Sequence, residues 1–288
     1  MNLDISTLFA FGAMICWAIG DFFIQRTTRK IGDIEALAFM GLIGAIALAP
    51  FVFEEIELLF ELQNILIIFF LSIAAVIGAV LNFEALKQGK LSVVEIILQI
   101  ELPVTVILGL IFFKESLSPI QATFISLIVC GTFMIVAGSK ANRLIKGVEK
   151  GALLAALAAI ALGFVNFLTA AGSRQISPIL IIWTPWFLAA VLSFLFLIKR
   201  DGINIIVKKA SKFRVLIIAM GVFETAAWLL FSLAVFSNSL SITIAISQSY
   251  PAICLFLGIK INKEEITKQQ YIGATIALVS SFILGFLS

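Results

Sequence analysis

The sequence predicts an all-α membrane protein of ten transmembrane helices, arranged as two inverted five-helix repeats. Three observations lead there. Hydrophobic residues make up 61% of the 288 positions and charged ones 13%, against roughly 45–50% and about 25% in soluble domains. The chain divides into apolar runs of about 20 residues, the length that crosses a hydrocarbon core of roughly 30 Å. The second half also repeats the pattern of the first.

The ten runs fall at 7–26, 33–53, 63–86, 91–113, 118–138, 149–172, 178–198, 213–236, 240–259 and 267–287. Span one follows "MNLDIST", which lacks the basic start and small-residue cleavage pattern of a signal peptide, so it is expected to stay as a helix. Gly12, Cys16 and Gly20, and separately Gly41 and Gly44, offer small surfaces for close helix contact. Cys16, Cys130 and Cys254 lie far apart in apolar runs and read as buried thiols that carry no redox information. Between spans seven and eight, "INIIVKKASKF" fits either a short helix on the lipid surface or a solvated loop.

"LSPIQ" at 117–121 returns as "ITKQQ" at 266–270, each after a Lys-Glu pair, Lys114-Glu115 and Lys263-Glu264. Ser118 with Gln121, and Thr267 with Gln270, form S/T-x-x-Q capping boxes that should open spans five and ten. Gly109 matches Gly258, Leu91-Ser92 matches Leu240-Ser241, and Pro103 aligns within one residue of Pro251. Asp21 and Arg29 match Asn166 and Arg174. The predicted units are 1–138, a basic connector at 139–150, and 151–288. Five spans per unit is an odd number, so the second copy enters the membrane from the opposite side. The connector after span two is acidic, "FEEIELLFELQN", and that after span seven basic, "KRDGINIIVKKASKFR", as inversion requires.

Of the 20 Lys and Arg residues, all but Lys114 and Arg174 fall after odd-numbered spans. The positive-inside rule therefore places both termini outside the cytoplasm, in a chain integral to the plasma (inner) membrane. The net charge of +3 is an orientation signal, and no nucleic-acid partner is expected.

Ionisable groups at bilayer depth cost roughly 2.5–3.5 kcal/mol each on insertion scales, so they tend to face a bundle interior or a wet cavity. In span four, "VEIILQIELP" carries Glu95, Gln99 and Glu101. On a continuous helix Glu95 and Gln99 lie about 40° apart, while Glu101 points about 120° from Glu95. Glu95 and Gln99 are thus assigned to the cavity, as substrate or ion contacts, and Glu101 to a packing face. Pro103 cannot donate to the Gln99 carbonyl and should kink the helix beside the site. Span nine offers Ser247, Gln248 and Tyr250 before Pro251, polar groups without charge at the same depth. Glu224 and Trp228, one turn apart on span eight, suit a cationic or zwitterionic ligand. Glu84 and Lys87 read as a neutralised pair near the cytoplasmic interface. Asp21 and Asn166 are candidates for gating or for capping near that interface. Trp17, Trp183 and Trp186 could line the cavity or belong to interfacial belts.

The duplicated run of Pro103, Leu108-Gly109, Glu115 and "LSPIQ", then Pro251, Leu257-Gly258, Glu264 and "ITKQQ", resembles the EamA type of the drug/metabolite transporter superfamily across the whole chain. That resemblance implies a secondary carrier of small metabolites with a central cavity between the halves. Many relatives keep both termini in the cytoplasm; the charge pattern here argues for the reverse.

The chain has no Gly-x-x-x-x-Gly-Lys-[Ser/Thr] loop to grip ATP phosphates. It also has no histidine, which removes His-ligated metal and Ser-His-Asp hydrolysis. No cofactor or enzymatic activity is expected. The leading expectation is a permease or exporter of a small polar metabolite such as an amino acid, working by alternating access and coupled to protons. The alternative is a lipid-head-group flippase or an intramembrane enzyme using the carboxylates.

Overall fold

The computed structural model describes residues 4–88, 94, 97–137, 149–262 and 266–288. Glu95, Glu264 and most of the basic connector lie outside the described residues. Among the described residues the regular structure is helical throughout, with no strand.

In the first repeat, α1 (Ile5–Ile31) and α2 (Asp33–Val52) are joined at Gly32, whose φ of 110° turns the chain between them. A short 3-10 turn (Ile56–Phe60) leads into α3 (Leu62–Gln88). After a break come α4 (Glu101–Phe112) and α5 (Pro119–Ala137). The second repeat has α6 (Glu149–Gln175), α7 (Leu180–Asp201), α8 (Ile203–Ser237), α9 (Leu240–Ser247), α10 (Tyr250–Asn262) and α11 (Lys268–Phe286). Among the described residues, eight helical stretches, with Leu240–Ile261 counted as one, are long and apolar enough to cross a bilayer, and Glu101–Phe112 and Pro119–Ile135 are shorter apolar helices. Phe53, Phe60, Leu62, Phe112, Leu195 and Val215 leave at least 60% of their surface uncovered. In water such a surface would aggregate, whereas acyl chains solvate it. The chain is a multi-pass integral membrane protein.

Both capping boxes form. Ser118 N donates to Gln121 Oε1 at 2.9 Å, and Gln121 N donates back to Ser118 Oγ at 3.3 Å. Thr267 and Gln270 do the same at 3.0 and 3.3 Å. The segment "INIIVKKASKF" is helical and runs into the next span as α8, bent at Phe213 (φ −115°, ψ 22°). α1 extends five residues beyond its predicted end, because "QRTTRK" continues the helix until Gly32 stops it.

The most extensive helix pairs are α1 with α8, α3 with α6, α2 with α7, and α5 with α11. Exchanging the repeats turns the first pair into the second and returns the other two to themselves, so the halves pack with a two-fold relation. The α5–α11 crossing is close: a Cβ at Gly131 would sit 2.7 Å from the Gly273 carbonyl oxygen, and one at Gly273 2.6 Å from that of Gly131. Two large apolar cores form, one around Trp17, Phe231 and Ile246 and the other around Ile24, Leu71 and Trp186. Trp228 packs against both.

Candidate functional site: a carboxylate and tryptophan cavity between the repeats

Both proline-bearing segments break their helices, at matching places in the two repeats. Pro103 has no N–H to give the Gln99 carbonyl, and Leu102 N takes that oxygen instead at 3.2 Å, while Ile100 N bonds Ile97 O at 3.1 Å. Around Pro251, Ser249 N bonds Ile246 O and Ala252 N bonds Ser249 O, each at 3.1 Å. These three-residue bonds tighten the winding and shift the phase of everything after them.

That shift corrects the assignment within span four. Glu101, expected on a packing face, lines the central cavity, and Gln99 is buried outside its lining with neither amide atom partnered. The spacing of about 100° per residue holds only along an unbroken α-helix, and the turn at Gln99 and Ile100 interrupts it.

The cavity lies between the repeats and is lined from both halves. Its polar groups include Asp21 from α1, Asn82 from α3, Glu101 from α4, Thr169 from α6, Glu224 from α8, and Gln248 and Tyr250 at the second break. Trp17, Trp186 and Trp228 form aromatic walls. Trp228 stands edge-on to Trp17 at 5.3 Å and to Trp186 at 6.5 Å.

Glu101 is held by amides from the other repeat. Asn166 Nδ2 donates to its Oε1 at 2.5 Å and Gln248 Nε2 to the same oxygen at 3.0 Å. A carboxylate has about four acceptor positions, so this one retains capacity for a ligand. Asp21, in turn, is hydrogen-bonded by Tyr250. These two pairs are counterparts: Asp21 matches Asn166, and Tyr250 occupies the place of Glu101 at the repeat spacing of 149. Each pair joins a first helix to a broken helix, and each holds one carboxylate.

Other expected residues fall elsewhere. Asp21 and Asn166 do not cap a membrane interface; both are buried, because the longer α1 puts about ten residues, or roughly 15 Å, between Asp21 and its end. Ser247 Oγ donates to the Ala10 carbonyl at 3.3 Å and ties α9 to α1. Glu224 and Trp228 share the cavity wall, and Glu224 lies so close on Gly20 that a Cβ there would displace it. Trp183 is outside the lining: it stacks on Phe187 and donates to the Ala45 carbonyl at 2.9 Å. Glu84 and Lys87 do pair, at 3.1 Å, and Asp33 joins them at 3.0 Å from the Lys87 ammonium. The hydrogen bonds that the Lys87 ammonium donates to Asp33 and Glu84 hold it above its ordinary pKa.

Two polar clusters close the ends of the bundle, and sequence reasoning missed both. At the end carrying the termini, Glu115 accepts from Leu240 N (2.7 Å), Ser241 N (3.0 Å), Ser241 Oγ (2.7 Å) and Ser239 Oγ (2.9 Å), capping α9 across the repeat boundary. Burial pushes the Glu115 carboxyl up, but the hydrogen bonds from Ser241, Leu240 and Ser239 outweigh it and hold the group below the usual range. Arg174 reaches Glu115 at 3.4 Å and the Asn238 carbonyl at 2.7 Å. At the other end the buried Glu35 pairs with Arg200 at 2.9 Å and with Lys209. Glu115 was visible in the repeated motif, but its partners could not be read from spacing.

The EamA-like transporter family model matches residues 4–137 and again 149–286. The chain belongs to the EamA-like transporter family. The two matches leave out most of the connector and cover one repeat each. Family membership makes this chain a membrane transporter. No curated protein matches it in sequence. Among solved structures, a chain described only as "Crystal structure of protein" is similar with a TM-score of 0.78, over 98% of this chain and 96% of its own, at 14% identity. That likeness establishes a shared fold.

Proposed function

We propose that this transporter is a secondary carrier of ten transmembrane helices in two inverted repeats, which moves a small polar metabolite by alternating access. The observation that carries the reading is the cavity between the repeats, lined by three carboxylates and bounded by two proline-broken helices. Broken helices beside a midplane cavity expose backbone and side-chain polar groups where a substrate can use them. The exchange of helix partners between halves supports rocking of one repeat against the other. Polar clusters at both ends supply contacts that each rocking motion would break and remake.

Proton coupling falls to the cavity carboxylates, with Glu101 taking the part that the wheel argument gave to Glu95. Glu101 sits between amides of the opposite repeat, so gain or loss of its proton changes an inter-repeat contact. The charge bias of the loops supports a plasma-membrane protein with both termini outside the cytoplasm.

The test is counterflow in proteoliposomes. Preloading with a substrate should drive uptake of its labelled form, and an inward proton gradient should change the rate in wild type but not in Glu101→Gln. Counterflow with no substrate from a set of amines, amino acids, sugars and nucleosides would defeat the carrier reading. A cytoplasm-only reporter fused after Ser288 should be silent, and a strong signal would reverse the orientation.

A further inference from the structure

Resting on the carrier reading, the geometry points to a substrate class: a small organic cation, an amine bearing no carboxylate, held against the tryptophan walls by Asp21, Glu101 and Glu224. Among the described residues, the ionisable side chains lining the cavity are those three acids and Tyr250, with no Lys or Arg, and the sequence has no histidine. The cations Arg174, Arg200, Lys209 and Lys87 are committed to acidic partners at the ends of the bundle. A substrate carboxylate would therefore enter a low-dielectric space with like charges and no counter-ion, at the cost of an unpaired buried anion.

The unmet hydrogen-bonding capacity leans the same way. Gln248 is 3% exposed, and its amide nitrogen is spent on Glu101 while Oε1 faces no donor; Asn82 Oδ1 is likewise buried without a donor. Both are acceptors on the cavity wall. An ammonium is all donor and satisfies such oxygens and carboxylates together. The donors left on that wall among the described residues, Trp186 Nε1 with the Asn82 amide and the Thr169 hydroxyl, are all neutral, so none is a counter-ion for a carboxylate. Trp17, Trp186 and Trp228 all line the cavity, and indole is the strongest side-chain partner for a cation.

The experiment uses tryptamine and phenethylamine against tryptophan and phenylalanine, which differ from them by the carboxylate. Binding is read by calorimetry on purified full-length protein, and transport by counterflow in proteoliposomes. We expect each amine to bind at least about tenfold tighter than its amino acid, the amount set by 1.4 kcal/mol. Trp228→Leu should weaken amine binding about 2- to 30-fold, the span of a cation–π contact. Trp183→Phe, outside the cavity, should leave it unchanged. Thermal unfolding of each variant, matched to wild type, excludes misfolding as the cause. Equal or tighter binding of the amino acids, or of neither amine, overturns the inference, as does indifference to Trp228→Leu in a folded variant. If an amino acid or a sugar is carried while the amines are not, the cation class is wrong and the carrier reading stands. If the amines bind but nothing is exchanged, the class stands and the carrier reading falls.

Discussion

The two helix breaks are alike in backbone and unlike in charge. At the first, Ile100 N reaches back to Ile97 O; at the second, Ser249 N reaches back to Ile246 O, at the same 3.1 Å. Just beyond lies Glu101 in one repeat and Tyr250 in the other, and both line the cavity. Their partners on the first helix of the opposite repeat are reversed to match: neutral Asn166 faces Glu101, and acidic Asp21 faces Tyr250. Each pair therefore keeps one carboxylate, on opposite members. The break depends on a proline and tolerates wide change around it. The charge depends on having one acid per pair and can sit on either partner.

The largest effect should come from neutralising the two acids separately. Glu101→Gln and Asp21→Asn should each weaken binding of a cationic probe by about 10- to 150-fold, the equivalent of a hydrogen bond to a charged group. Calorimetry on both variants checks this. A large loss from one and none from the other would break the equivalence of the pairs. Next are the neutral partners. Asn166→Ala removes the amide at 2.5 Å from Glu101 and should cost about 1.5–3 kcal/mol of stability in detergent. Tyr250→Phe keeps the ring and should cost closer to about 1 kcal/mol; the reverse order would assign the structural burden to the second pair.

Glu115 extends the comparison to the bundle end, since its counterpart is Glu264. The folded pKa of Glu115 is depressed, so its stabilisation is complete above the ordinary carboxylate value of about 4.3 and fades as pH falls through the lower folded value. Thermal midpoints taken from about pH 6 to about pH 3 should drop more steeply in wild type than in Glu115→Gln. Parallel curves would mean that the α9 cap contributes no titrating stability. The same scan on Glu264→Gln shows whether the second repeat uses an equivalent cap.

Much of the fold was legible because bilayer thickness imposes run length, and both capping boxes are local devices with fixed spacing. Site residues were legible where the helix was regular: Glu224 and Trp228, one turn apart on α8, share the cavity wall as the periodicity requires. Reading failed where regularity failed. Three-residue bonds before Pro103 put Glu101 in the cavity and left Gln99 outside it. Asp21 lies deeper than its place in the apolar run suggests, because α1 continues five residues past the end of that run. The clusters around Glu115 and Glu35 join residues far apart in sequence, and no period links them.

The glycine crossing of α5 and α11 has a mechanical consequence. Neither helix contributes to the cavity wall, yet their backbones touch at Gly131 and Gly273. Contact that tight leaves little slack for sliding, so under the proposed rocking the pair should serve as the fulcrum, with motion growing with distance from it. A disulfide engineered across this crossing, in a background without Cys16, Cys130 and Cys254, should leave turnover within about twofold of the reduced protein, whereas one tying α1 to α8 should arrest it. Arrest by the α5–α11 bridge would show that the working lever has its pivot elsewhere.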